Sequence, residues 1–115
     1  MTAYLISICK GVSDRRALED YWEHARPSFE GTGATPLAAY TPFEVLEGEG
    51  PVEGIVLFAF PSMEIARQWY NSSQYQEVKR KRDGAAQFHL ILVDGGWVPS
   101  GDRMPETKTG QPEPR

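Results

Sequence analysis

At 115 residues, with 40% hydrophobic and 24% charged side chains, the chain has room for one globular domain and is neither disordered nor membrane-like in composition. Acidic side chains outnumber basic ones by 16 to 12, and the resulting net charge of −4 argues against nucleic acid or an anionic membrane surface as partner. The lone cysteine, Cys9, rules out an intramolecular disulfide. The apolar run near the N-terminus has no basic leader and is too short for a signal peptide or a membrane span, so the expected setting is the cytoplasm.

The first predicted element is a strand over Tyr4–Cys9, in which Tyr4, Ile6 and Ile8 alternate with Leu5, Ser7 and Cys9. Both sets are mostly apolar, as in a strand covered on two sides. A helix follows, with Ser13 as N-cap and Asp14 favoured by the dipole of its first turn. Leu18, Trp22, Ala25 and Phe29 form one face of it, and Pro27 forces a kink or a restart with itself in the first turn. Gly31-Thr32-Gly33 ends the helical stretch. A second strand is expected over Leu37–Leu46, interrupted by Pro42, which implies an edge or a bulge.

Glu47–Pro51 is a turn-rich connector, and Gly54–Phe60 a third strand with an unbroken apolar row. The second helix starts at the Ser62 N-cap and shows Ile65, Ala66, Trp69 and Tyr70 on its apolar face. Asn71-Ser72-Ser73 interrupts it, and Ser73-Gln74-Tyr75-Gln76 fits a capping box for a fresh helix. Tyr75, Val78 and Arg82 share the inner side of that helix, which Asp83-Gly84 closes. The fourth strand is Gln87–Val93, with Phe88, Leu90 and Leu92 on one side and His89, Ile91 and Val93 on the other. Residues 1–98 thus form the domain, and 99–115 a Pro-rich C-terminal tail without a core of its own.

The element order is βαββαβ, an α+β arrangement whose four-stranded antiparallel sheet carries its two helices on one face. The other face is left bare and is too apolar for open water. A two-fold dimer with sheet facing sheet covers it.

The sequence resembles the domain-of-unknown-function family 1330 of the dimeric α/β-barrel superfamily. The residues that carry this are Tyr4-Leu5-Ile6, Val45-Leu46-Glu47-Gly48, Phe60-Pro61-Ser62-Met63-Glu64, Trp69-Tyr70-Asn71-Ser72, Tyr75-Gln76 and Leu92-Val93-Asp94-Gly95. The chain departs from the family pattern in its Gly31-Thr32-Gly33 turn and in Ser73, which stands where the family has a proline. The resemblance implies a ferredoxin-like dimeric α/β barrel and no assigned activity.

His89 is the candidate catalytic residue. With the helices over the Phe88 side it points into the intersubunit space, where an imidazole can move a proton near neutral pH. The alternative is a core histidine bonded to backbone. Tyr70, Asn71, Ser72 and Tyr75 lie at a helix break whose free N–H groups suit an anion, although the same residues serve as ordinary caps. Arg82 turns inward, either to hold a substrate carboxylate through a bidentate contact or to pair with Asp83 or Asp14. Lys79-Arg80-Lys81-Arg82 reads as a solvated helix end, with Glu77 paired to Lys81.

Ser7 shares a strand face with Cys9 and is a candidate ligand contact. His24 and His89 are too far apart in sequence to suggest a metal site, and no cofactor is expected. The first functional expectation is a homodimer that binds a small organic ligand between sheet and helices or at the dimer interface. The alternatives are an enzyme like the superfamily's cofactor-independent monooxygenases or isomerases, with His89 as acid/base, and a partner-binding module that uses the tail.

Overall fold

The computed structural model describes residues 2–99. The tail assigned to 99–115 lies outside the described residues beyond position 99. Four strands form one antiparallel sheet: β1 (Ala3–Val12), β2 (Thr35–Ala39), β3 (Gly54–Phe60) and β4 (Ala86–Asp94), in the spatial order β2-β3-β1-β4. Three helices accompany it: α1 (Arg15–Ala25), α2 (Met63–Asn71) and α3 (Ser73–Lys79), with short 3-10 turns at Arg26–Phe29 and Arg80–Arg82. This is the expected ferredoxin-like α+β arrangement.

The alternation read in β1 sorts the two faces of the sheet. Ala3, Leu5, Ser7 and Cys9 are buried, while Tyr4, Ile6, Ile8 and Lys10 are half-buried on the other side. Cross-strand pairing extends each face. Leu5 stands between Phe58 and Leu92, and Ser7 between Val56 and Leu90. Ile6 stands between Leu57 and Ile91, and Ile8 between Ile55 and His89. The core gathers on the helix side around Ala3, Leu5, Phe60, Ala66, Trp69 and Tyr75. Lys10 is the extra residue of a bulge against β4.

Pro27 acts as expected. α1 ends at Ala25 and the chain continues as a 3-10 turn with the proline near its start. Three local expectations need correction. The N-cap of α1 is Asp14, whose carboxylate accepts from Ala17 N at 3.1 Å, because the Ser13 hydroxyl is drawn to the carbonyl of Gly84 at 2.9 Å. α3 is capped by Ser72 and not Ser73, and Gln76 reaches back to the carbonyl of Tyr70 at 2.7 Å instead of completing a capping box.

β2 spans Thr35–Ala39 and not Leu37–Leu46. It stops where Tyr40 takes a left-handed backbone, φ +58°, before Pro42 is reached. Tyr40 lies over the backbone of Gly54, where any side chain would collide with its ring.

Candidate functional site

α1 and the 3-10 turn after it stand off the sheet and leave a cleft of about 500 Å³ between them. Its floor is the buried face of the sheet, with Leu5 and Ser7 from β1, Val56 and Phe58 from β3, and Phe88 and Leu90 from β4. Its walls are largely aromatic. Tyr21 and Trp22 descend from α1, Phe29 from the 3-10 turn, Trp69 from α2, and Tyr40 from the end of β2.

The rings hold one another in place. Phe29 stacks on Phe58 at 4.3 Å and on Trp69 at 4.7 Å between centroids, and Trp69 lies 4.2 Å from Tyr75. The Trp69 indole donates to Ser28 Oγ at 2.9 Å, and the Trp22 indole donates to Tyr40 Oη at 2.9 Å. Burial raises the Tyr40 phenol above its ordinary value, so it is a neutral acceptor for that bond at pH 7.

Polar groups are few. Ser7 is buried and lines the cleft, and no described residue hydrogen-bonds to its hydroxyl. Tyr21 Oη lies 2.8 Å from Tyr75 Oη. Behind this pair is Arg82, whose Nη2 is 3.5 Å from Tyr75 Oη. Its guanidinium carbon lies 5.2 Å from the Tyr21 ring centre and 4.7 Å from that of Phe88. Burial opposes the Arg82 charge, but the oxygens of Tyr75 and Tyr21 outweigh it, and the group stays cationic. Burial, with Tyr75 adding to it, pushes the Tyr21 phenol far above its usual range, so Tyr21 is protonated at neutral pH. Arg26 also lines the cleft, and no Asp or Glu among the described residues does.

Of the residues singled out in the sequence, the structure puts Ser7 on the cleft lining and joins Tyr75 and Arg82 to each other behind the Tyr21 wall. Arg82 pairs with neither Asp83 nor Asp14; its neighbours are rings and a phenol oxygen. Tyr70 is half-buried and packs on Tyr75 at 5.6 Å. Asn71 is exposed at the last position of α2, and Ser72 uses its hydroxyl on the carbonyl of Trp69 and the N–H of Tyr75. His89 is exposed on the outer face of the sheet, turned away from the cleft. The helices do cover the Phe88 side, which is the premise on which His89 was expected to face a second subunit.

Tyr21, Trp22, Phe29, Tyr40 and Trp69 were not singled out as site residues. For Tyr21 a signal was present, since it follows Leu18 by three and precedes Ala25 by four, on the same helical face.

The basic run behaves as a solvated helix end with altered pairing. Arg80 meets Glu77 at 3.3 Å, Lys79 meets Asp83 at 3.7 Å, and Lys81 crosses to Asp20 of α1 at 3.2 Å instead of meeting Glu77. Asp20, Glu23 and His24 place three donor atoms within 4.8 Å of one another on the outer side of α1. Asp20 there already pairs with both Lys81 and His24. A second hollow of about 310 Å³ lies beyond Trp22 and Tyr40 and is reached by Cys9 and Glu53. Burial raises the Cys9 thiol above its ordinary value, leaving it protonated and a weak nucleophile at neutral pH.

The sequence model described as domain of unknown function DUF1330 matches residues 2–96. No curated protein matches the sequence. Among solved structures, a protein of unknown function from Rhodopseudomonas palustris is similar with a TM-score of 0.66 and 15% identity, over 84% of each chain. A dimeric protein of unknown function and ferredoxin-like fold from Bacteroides fragilis has a TM-score of 0.57 and 7% identity, over 82% of this chain and 96% of its own. SnoaB from Streptomyces nogalater, described as a cofactor-independent oxygenase, has a TM-score of 0.54 and 5% identity, over 84% of this chain and 94% of its own. At these identities the likeness is one of fold.

Proposed function

The chain belongs to the DUF1330 family, a domain of unknown function, and from that premise we propose that it is a homodimer that binds a small organic molecule in the cleft between α1 and the sheet. The observation that carries this reading is the cleft itself. About 500 Å³ of mostly aromatic-walled space, with a buried serine hydroxyl that has no partner among the described residues, is the usual make-up of a small-molecule pocket. The dimer is supported by the dimeric Bacteroides relative of the same fold and by the apolar outer face of the sheet. A cytoplasmic setting, in which a lone thiol stays reduced, suits the reading.

Titration with the neutral fluorophore 1-aminoanthracene tests it. Saturable binding is expected with one site per chain. Val56→Trp, which fills the floor, is expected to abolish binding while far-UV circular dichroism is unchanged; Ala34→Leu repeats the test from the wall. An absence of saturable binding to the wild-type chain, or full binding by both filled variants, refutes the cleft as a site.

A catalytic role is the second reading, drawn from the Streptomyces relative of the same fold. His89 would then serve a site between subunits and not the cleft, because it stands on the outer face opposite Ile8. If native mass spectrometry of the purified protein reveals a retained molecule and that molecule is turned over, His89→Ala should abolish turnover. Unchanged turnover removes His89 from the reaction. The tail enters the third reading, a partner-binding module. Deletion of residues 99–115 that leaves both dimer mass and probe binding unchanged argues against any part for it in either.

A further inference from the structure

On the cleft lining and just behind it, hydrogen-bond donors exceed the acceptors. Arg82 is 7% exposed, yet it enters no ion pair among the described residues, and its buried Nε has no hydrogen-bond partner. A guanidinium donates and never accepts. The phenols of Tyr21 and Tyr75 share a single bond at 2.8 Å but carry two protons. Whichever of them donates in that bond, one O–H is left without an acceptor in the cluster. Tyr75 is 0% exposed, and Tyr21 lines the cleft, so the free proton is accommodated at Tyr21. Ser7 adds a second hydroxyl, 8% exposed, that also faces the cleft without a partner among the described residues.

The sign of the charge points the same way. The whole chain is acidic, with a net charge of −4, but the cleft has Arg26 on its lining and Arg82 behind the Tyr21 and Phe88 rings, with no carboxylate on its described walls. A buried cation without a counter-charge is costly, and an incoming anion relieves that cost.

We infer that the ligand of this cleft is an apolar, ring-bearing molecule with an anionic oxygen, a carboxylate or an enolate or phenolate. The Tyr21 and Ser7 hydroxyls hydrogen-bond that oxygen, and Arg82 behind Tyr21 balances its charge. This rests on the cleft being the binding site. The rings of Phe29, Phe58 and Trp69 take the apolar body, and the phenol of Tyr21, kept protonated by burial, donates at neutral pH. Tyr75 is a positioning residue that links Arg82 to Tyr21.

Displacement of bound 1-aminoanthracene by 2-naphthoate and by its neutral isostere 2-naphthamide tests the inference. On the wild-type chain the carboxylate is expected to displace the probe at about tenfold lower concentration, the worth of one charge-assisted hydrogen bond. Tyr21→Phe is expected to shrink that ratio, taken within each variant and so independent of its affinity for 1-aminoanthracene, to about threefold or less, and Ser7→Ala to shrink it in part. Arg82→Met should erase the preference. If that variant fails to fold, Tyr21→Phe, which keeps the ring and its packing, still decides. Equal displacement by the two naphthalenes, or a preference that survives Tyr21→Phe, overturns the anionic-ligand inference while the cleft stands. Failure of 1-aminoanthracene itself to bind the wild-type chain overturns the cleft reading and this inference together.

Discussion

Single residues in this molecule take partners that are distant in sequence. Trp69 was legible as an apolar helix residue from its spacing to Ile65 and Ala66, but the partner of its indole N–H is Ser28, 41 residues away. Nothing local to Trp69 identifies such a partner. The structure makes the pairing testable. Ser28→Ala leaves a buried N–H without an acceptor, and a loss of about 1–3 kcal/mol is expected in urea unfolding. Pairing the variant with Trp69→Phe should recover part of that loss relative to Trp69→Phe alone, since no donor is then orphaned; an additive double variant would show that the bond contributes nothing.

Ionisation of single residues sets a second expectation. Burial raises Cys9 from its ordinary 9.0 and Tyr21 from its ordinary 10.0. Above those values the unfolded chain gives up protons that the folded chain retains, so stability falls as the pH rises above about 9 and goes on falling beyond 10. The contribution is fully present at neutral pH. Tyr21→Phe should flatten the upper part of that alkaline decline in urea midpoints, and a wild-type chain equally stable at pH 8 and pH 11 would contradict it.

At the level of elements, the sequence located all four strands and the break between α2 and α3, but misplaced several boundaries. Boundaries depend on which of two adjacent polar residues wins a cap, and propensity does not separate Ser72 from Ser73 or Ser13 from Asp14. The structure resolves the first choice by geometry. Ser72 Oγ donates to the carbonyl of Trp69 at 2.7 Å and accepts from Tyr75 N at 3.1 Å, so one hydroxyl both closes α2 and opens α3. Ser72→Ala is expected to cost about 1 kcal/mol in urea unfolding, and Ser73→Ala far less. Equal effects would assign the cap wrongly. The same duty accounts for the polarity of Ser72 without a ligand: a helix break needs polar side chains whether or not a ligand visits.

β2 was over-extended for another reason. Leu37–Leu46 reads as β-favouring, but pairing with β3 ends at Ala39, and Tyr40 then folds back over Gly54. Its left-handed backbone is invisible to residue-type propensity. Gly54→Ala would push the Tyr40 ring off its seat and break the bond from Trp22. A several-fold loss of 1-aminoanthracene affinity is the expected result, and unchanged affinity would show that Tyr40 is no essential wall.

On the scale of the whole molecule, the two faces of one sheet divide the work. The helix-side face carries the core and the cleft. The outer face carries Tyr4, Ile6 and Ile8 between Ala59, Leu57 and Ile55 on one side and Val93, Ile91 and His89 on the other. This division was legible from strand alternation alone, because parity along β1 and β4 fixes both faces at once. The site of the cleft was not. A cavity arises from how far α1 stands off the sheet, and that distance depends on the bulk of Tyr21, Trp22 and Phe29 against residues from four strands.

The outer face also bears on the proposed dimer. Ile91 and Val93, on the edge strand β4, are 45% and 44% exposed in the single chain and continue a band whose strand-paired residues are apolar except for Tyr4 and His89. A contiguous apolar band of that kind is covered in a stable protein, and a second copy supplies a surface of matching character. Sedimentation velocity should therefore give twice the chain mass for the wild-type protein. Ile91→Asp would bury a carboxylate in that covered band and is expected to give a folded monomer. Because the cleft lies on the opposite face, 1-aminoanthracene should bind that monomer within about threefold of the wild-type affinity, a difference under 1 kcal/mol. A dimer that persists in Ile91→Asp would move the interface elsewhere. A monomer that has lost the probe would make the cleft dependent on the second subunit, and the separation of the two faces would then fail.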